Sequence, residues 1–502
     1  MTPEELKAKV AAKESLAGAS LRGLLLEKAN LCGALLSRAD LGDGRLMGIE
    51  LRDAELAATK FEGADLRFAD FRGAKAAGAR FCGCKMSHAQ FDRADLQGAE
   101  FSGVELEKAT FKEASLQTAS WSNTTLNDVD FSHAQLESTA FREADLDSVL
   151  FAGVKTRGLD FTDSHLRLVS FLDAGLASAN YSGARFSRVT MDRATLVDAQ
   201  LQNVKAVNCT FREARLENAD LSGATLETSD LSRCDLSGAR AHKLEANRYT
   251  VLKEARLDRI DLSEAKLERV DLSGASMRGA VLRGAVLREA SFAGADLEGA
   301  DFTGACVEGA NFSGASLREA ILPPTFFQEK GIVLDGVVLE AIAVEKGSFR
   351  DVRWADARLS RSRLAGSDFS GAQLARAQLV AADLNDTNFA TADLTGADLG
   401  EASLQRANLT GANLSRARLV NADLRGADLR GAALRSANLT GAKLIGAHAS
   451  WDQLRTASFG PESLVGLFIH GKIEGLSVQN LPEQVEVKRN LAEMLFKLRA
   501  GL

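Results

Sequence analysis

A bulky apolar side chain recurs at every fifth residue over most of this chain, and few folds tolerate that spacing. Counting from Leu16, 42 of 45 consecutive positions through Leu236 carry one, with Ala76, Thr156 and Ala206 the exceptions. A second run, Leu252 to Leu322, scores 15 of 15, and a third, Leu334 to Phe459, scores 25 of 26, missing only at Ala449. Two residues before each bulky position stands a small one, as in Ala407-Asn408-Leu409-Thr410-Gly411. The unit reads small, polar, bulky, polar, often Gly. In an α-helix five residues advance the side chain by about 500°, so the apolar positions would scatter around the cylinder. In a long strand an odd period changes face at every repeat. Within one unit, however, small and bulky residues lie two apart and share a side. The two residues that follow can turn a corner, with Gly easing a positive φ. The chain is therefore expected to coil with its small and bulky residues inside.

Aromatic residues set the number of sides. Phe61, Phe71, Phe81, Phe91, Phe101, Phe111, Trp121, Phe131, Phe141, Phe151, Phe161, Phe171 and Tyr181 recur every ten residues, mostly alternating with Leu. Three sides would stack Phe on Leu. Four sides stack Phe on Phe up two opposite walls and Leu on Leu up the other two, which keeps the interior volume constant from layer to layer. The five prolines, Pro3, Pro323, Pro324, Pro461 and Pro482, all fall at termini or junctions, as a backbone that needs its N–H groups for a ladder requires.

The unit resembles the pentapeptide-repeat family, whose A(D/N)LxX motif stands in Ala422-Asp423-Leu424-Arg425-Gly426 and Ala427-Asp428-Leu429-Arg430-Gly431. The resemblance implies an all-β fold, a right-handed quadrilateral parallel β-helix. At the usual strand spacing its about 21 coils would make a rod roughly 100 Å long. Stability then depends on neighbouring coils, and the ends need caps.

The expected organisation is a capping helix over 1–15, solenoid segments over 16–240, 241–322 and 334–459, an interrupting loop at 323–333, and a C-terminal cap or dimerisation element over 460–502. In the N-terminal helix Thr2 is the expected cap, with Glu5 three residues on and Pro3 in the first helical position, the helix running to about Lys13. The phase gains one residue between Leu236 and Leu252, across Ala241-His242-Lys243-Leu244 and Tyr249, and two between Leu322 and Leu334, through Pro323-Pro324-Thr325-Phe326-Phe327. Phe326 and Phe327 look exposed there and are candidate contact residues. From Pro482 to Leu498 an amphipathic helix is expected, with Leu491, Met494, Leu495 and Leu498 on one face. It would cap the last coil or form a homodimer.

No catalytic constellation, cofactor motif or metal-ligand spacing is found. Cys84 falls in an inward slot and Cys82 in an outward one, so the Cys82-Gly83-Cys84 pair points apart. The six histidines share no column. No stretch approaches 18 apolar residues, the length of a membrane helix, and no signal-peptide pattern opens the chain. The six cysteines follow no framework spacing. A reduced, cytoplasmic setting is the simplest expectation, with export by a route that reads no signal peptide still open. The formal net charge of −7 gives no general attraction for nucleic acid. Charge is regional: residues 91–150 carry 12 Asp/Glu against 4 Lys/Arg, including Glu105, Glu107, Glu143 and Asp145. Residues 403–443 hold seven cations, among them Arg425, Arg430 and Arg435, against Asp423 and Asp428.

Two functions follow from resemblance. The opening Met1-Thr2-Pro3-Glu4-Glu5-Leu6, followed by Glu14-Ser15-Leu16-Ala17-Gly18-Ala19, is similar to pentapeptide-repeat proteins encoded beside bacterial type VI secretion spikes, which implies a non-enzymatic accessory or adaptor with protein partners. Other family members protect or inhibit DNA gyrase through an acidic DNA-mimicking rod and a C-terminal dimer. That is the alternative here, and a secreted effector is a third.

Overall fold

The computed structural model describes residues 1–459, Ser463 and 468–470, in two compact units, Met1–Ala290 and Ser291–Leu502. The first unit opens with α1, Pro3–Ala11, whose Thr2 side chain accepts from the Glu5 N–H while Glu5 reaches back to the Thr2 N–H. This reciprocal cap satisfies two amides that no helix turn can reach. The helix ends at Ala11 rather than near Lys13, because Lys13 turns to a φ of 55° and starts the first corner. Leu6 is fully buried.

From Ser15 onward the backbone winds four repeats to the coil. Ser15 pairs in parallel with Leu35, Leu35 with Glu55, and Asp40 with Lys60. At most corners the carbonyl of the bulky residue accepts from the amide of the small residue three positions on, as the Phe61 carbonyl does from the Ala64 N–H at 2.9 Å. The second turn residue has positive φ, 72° at Gly63, which makes a type II corner. The sequence led us to expect Gly there, yet Asp43, Arg93 and Asn203 hold the same conformation at 50°, 60° and 57°. Neighbouring coils impose the corner even on residues that resist it, at about 1–2 kcal/mol each.

On one wall the extended stretch lengthens into true strands. β1 Glu105–Glu107, β2 Thr125–Asn127, β3 Asp145–Asp147, β5 His165–Arg167, β7 Arg185–Ser187, β8 Lys205–Val207, β9 Thr225–Glu227 and β10 Glu245–Ala246 form one parallel sheet in that order. β4 Lys155–Arg157 and β6 Gly175–Ala177 pair on another wall. The sheet register has no offset: Leu106 lies beside Leu126, and that beside Leu146.

The interior matches the four-sided expectation. Phe61 stacks on Phe81 with ring centres 5.1 Å apart and planes 2° from parallel, and Phe71 stacks on Phe91 at 4.6 Å. Rings from the two opposite aromatic walls meet edge to face, Phe61 and Phe71 at 85°. Both arrangements suit the ring quadrupole. The two aromatic columns face each other across the core and run through Tyr181.

The first phase slip appears as a change in ladder spacing. Asp220 pairs with Arg240, four whole repeats on, but Asp230 pairs with Val251 and Asp235 with Arg256, each one position beyond the fourth repeat. The segment 241–244, which the sequence placed within the slip, forms an ordinary corner closed by Leu244 N–H on the Ala241 carbonyl. The extra residue sits in a three-residue corner, Asn247-Arg248-Tyr249. There Asn247 Oδ1 accepts from the backbone N–H of Thr228 and of Tyr249 at 3.0 and 3.1 Å. Thr250 drops into the small slot, and its hydroxyl donates to the Leu226 carbonyl at 2.6 Å. Tyr249 is left exposed under Arg248, whose guanidinium lies 4.8 Å from the ring centre.

In the second unit Asn311 pairs with Val333 and Ser316 with Val338, each two positions beyond the fourth repeat. The regular four-repeat spacing returns at Val338 and Arg358. The inserted residues form a 3₁₀ turn over Pro324–Gln328. Phe326 and Phe327, expected on the surface, are instead buried at 1% and 4% exposure. Phe326 packs against Phe302 and Phe312, each at 5.4 Å. Phe327 meets Phe349 at 5.0 Å and Trp354 at 5.2 Å. Two rings cannot be left in water when an adjacent core will accept them. A second departure is α2, Trp451–Leu454, set inside the third run. Gln453 anchors it by donating to the Leu429 and Ala432 carbonyls at 2.9 and 2.8 Å. Even so, Asn438 still pairs with Ser458, four repeats on. Among the described residues the last ladder step pairs β11 His448–Ser450 with β12 Phe468–His470. The helix expected over 482–498, with Leu491, Met494, Leu495 and Leu498, lies outside the described residues.

Candidate interaction surfaces

The chemistry-bearing residues of the repeat are largely occupied by structure. The outward Asp or Asn before each bulky residue accepts from the amide two positions on: Asp130 from Ser132 at 2.8 Å, Asp160 from Thr162 at 3.0 Å, Asp393 from Thr395 at 3.0 Å. Side chains of this kind bind their own backbone two residues on and so hold a turn. Partial burial alone would raise the Asp130 and Asp160 carboxyls. Hydrogen bonds from Ser132 and Lys112, and from Thr162 and Arg142, outweigh it and hold both below the usual carboxylate range. These aspartates are therefore corner locks.

The buried thiols are equally inert. Cys84 lies 2.9 Å from the Phe61 carbonyl, and burial pushes it up to about 12. Cys209 is raised to about 11 for the same reason, and Cys234 higher still. Cys82 is only half-buried and faces Glu100. Thiolate is the reactive form, so the buried three are packing residues. Among the described residues no group of three His, Cys, Asp or Glu side chains could hold a metal, and no helix is long and apolar enough to cross a membrane.

The charged candidates divide sharply once placed. Glu105 and Glu107 flank buried Leu106 on β1, and Asp145 lies two strands along the same sheet. Glu143 stands apart, at a corner with φ 51°. The acidic stretch does not continue up this wall: Asp145 meets His165 at 3.0 Å, Asp147 meets Arg167, and beyond them come Arg185, Arg188 and Lys205. The basic zone of 403–443 is weaker than its sequence count. Arg425 and Arg430 fork onto Asp423 and Asp428, at 2.7 and 2.5 Å for the closest pairs. Arg406 and Arg418 reach back one coil to Asp386 and Asp398, which lie outside the counted stretch. The Arg425 and Arg430 hydrogen bonds hold both carboxyls low despite some burial. Arg435 stays exposed. Sequence reasoning also missed a surface groove of about 430 Å³ in the second unit, lined by Phe327, Glu329, Ile332, Arg350, Arg353 and Trp354. Part of its lining comes from the 3₁₀ turn and the residues just after it, which no periodic signal announces.

Two family profiles match along most of the length. The profile described as pentapeptide repeat region covers residues 77–151 and 125–201. The profile described as pentapeptide repeats (8 copies) covers 15–53, 49–87, 207–242, 248–284, 280–319, 348–377, 355–389, 372–411, 388–426 and 412–448. The chain belongs to the pentapeptide-repeat family. Its matched segments stop on either side of the second slip, where the 3₁₀ turn replaces the unit. Solved structures of the same family are similar to it. One is a pentapeptide repeat protein from the Arabidopsis thaliana thylakoid lumen, 35% identical over 21% of this chain and 72% of that one, with a TM-score of 0.21. A second is HetL, involved in heterocyst differentiation regulation in the cyanobacterium Nostoc, 22% identical over 62% and 89%, TM-score 0.15. A third is QnrB1, a plasmid-mediated fluoroquinolone resistance protein, 18% identical over 41% and 93%, TM-score 0.17. No curated protein matches the chain.

Proposed function

We propose that this pentapeptide-repeat protein is a non-enzymatic scaffold that binds other proteins through its walls. One observation carries the reading. The polar side chains of the repeat are consumed by corners and inter-coil pairs, while the sheet wall from β1 to β8 presents an acidic half and a basic half on an aligned backbone. A preformed surface of this kind binds with little ordering entropy, and its charge pattern steers encounter and sets register. The similarity of its opening residues to type VI secretion-associated relatives makes an adaptor of a secretion spike the specific assignment to test. Co-purification of the tagged full chain from its native cell, beside a variant with Arg185, Arg188 and Lys205 changed to Glu, tests the reading. Partners lost on charge reversal support it. Identical partner sets, or none, overturn it.

The gyrase alternative draws on the acidic column Glu105, Glu107 and Asp145. A DNA-like surface needs continuous negative potential, and Arg185, Arg188 and Lys205 interrupt it on the same wall. Inhibition of gyrase supercoiling by the purified chain at sub-micromolar level would reverse this ranking.

A further inference from the structure

Sorted by strand position, the β1 to β8 wall has a symmetry that its linear sequence hides. Take a twofold axis lying in the wall, parallel to the strands, midway between β3 and β5. Such an axis sets each strand of one copy against another strand of a second copy, at the same position along the strand: β1 against β8, β2 against β7, β3 against β5. Because the register has no offset from β1 to β9, the facing residues follow directly. Glu105 faces Lys205, Asp145 faces His165, and Asp147 faces Arg167. At the corner position Asp128 faces Arg188. Glu107 faces Val207, Thr125 faces Arg185, and Asn127 faces Ser187. At the strand positions and the corner after them every charge-to-charge meeting joins opposite signs, and the dyad repeats each one; at the corner before the strands Glu143 faces Asp163, a like-charged meeting.

The match extends outward. One coil further, Lys85 faces Thr225 and Ser87 faces Glu227, with no like charges. In the next coil Phe68 comes opposite the three-residue corner Asn247-Arg248-Tyr249. Phe68 and Tyr249 are each 57% exposed, the most exposed aromatic residues of this unit. Phe68 already stacks on His88 at 4.7 Å, and Arg248 covers Tyr249. Aromatic rings left in water beside a guanidinium suit an interface edge. A second like-charged meeting is Asp65 with Glu245, and each is neutralised in its own chain, Asp65 by Arg67 at 2.6 Å and Glu245 by Lys266 at 2.6 Å.

We infer that this wall binds a second copy of the chain, face to face with the solenoid axes antiparallel. The ten coils involved span about 43 Å at the usual strand spacing, and a five-residue wall is about 16 Å wide. The product, about 700 Å² per partner, falls at the lower end of stable interfaces, so the dimer is reversible and sensitive to salt.

Two complementary variants of the full chain test this by sedimentation velocity, with circular dichroism confirming that each folds. The first carries Glu105→Lys and Asp128→Arg, which makes the facing positions all basic. The second carries Arg188→Asp and Lys205→Glu, which makes them all acidic. Each alone is expected to dimerise at least about tenfold more weakly than the unaltered chain at low salt. Mixed one to one, they are expected to recover a heterodimer, because each altered residue then faces an opposite charge. Phe68→Asp is expected to weaken the unaltered dimer. A chain that stays monomeric at about 0.02 M salt overturns the inference. So does a dimer indifferent to both reversals, such as one formed through the C-terminal segment, or a mixture that fails to recover.

Discussion

The two register slips solve the same problem in opposite ways. At Asn247-Arg248-Tyr249 one extra residue is pushed outward, and an aromatic ring is left in solvent. At Pro324–Gln328 two extra residues are taken inward, and two aromatic rings join the core. In both, the ladder resumes undisturbed on the far side. The difference lies in what the inserted residues offer. Asn247 supplies a side-chain carbonyl that replaces a missing ladder acceptor, so its corner can swell while the Thr228 and Tyr249 amides stay paired. Pro323 and Pro324 offer no N–H at all, so that segment cannot remain in the ladder and has to be held by burial instead.

The largest test of this contrast is Phe327→Ala. It removes a ring wedged between Phe349 and Trp354, and should destabilise the second unit by about 3–5 kcal/mol. Guanidinium unfolding followed by Trp fluorescence reads this, and a loss below about 1 kcal/mol would mean the ring packs loosely. Next, Asn247→Ala strips the acceptor from the Thr228 and Tyr249 amides, for a loss of about 1–2 kcal/mol. Asn247→Asp keeps the acceptor and should recover most of it.

Smaller still is the effect at a regular corner. Asp230 accepts from the Ser232 amide and hydroxyl and from Arg212. Burial would raise its carboxyl, but these bonds outweigh it and hold the group below its ordinary value. The folded value lies below the unfolded one. The stabilisation is therefore complete above about pH 4 and fades as pH falls through the lowered folded value. Asp230→Ala should cost about 1 kcal/mol at neutral pH, with the gap closing in acid. A gap that persists at low pH would assign the effect to packing. The smallest expected change is Tyr249→Ser, within about 0.5 kcal/mol, since the ring is mostly exposed beneath Arg248. If Tyr249→Ser instead matches Phe327→Ala, the two slips are not opposites.

The coil, its four sides and both aromatic columns were legible in the sequence because each rests on strict periodicity. Phe61 through Tyr181 needed only counting. What escaped was aperiodic. Pro323-Pro324 reads as a surface loop, and nothing local reveals that Phe326 and Phe327 find Phe312 and Phe349 in other coils. Likewise α2 depends on Gln453 reaching carbonyls a full coil or more back along the chain. The charged zones were misjudged for a related reason. Partners in this fold sit within one repeat, as Arg425 and Asp423 do, or on neighbouring coils, as Arg142 and Asp160 or Arg406 and Asp386 do. A sum over consecutive residues therefore separates pairs that the coil joins, and the complementary wall emerges only when residues are sorted by coil.

Everything about the walls depends on the ladder keeping its register through an insertion, and disulfide trapping reads that register directly. In a chain whose native cysteines are replaced by Ala, cysteine pairs substituted at Asp220 and Arg240, and at Asp230 and Val251, should crosslink under mild oxidation, since directly opposed strand positions suit disulfide geometry. A pair substituted at Asp230 and Thr250 should not, because Thr250 points into the core. Crosslinking of the Asp230 and Thr250 pair in place of Asp230 and Val251 would contradict the account.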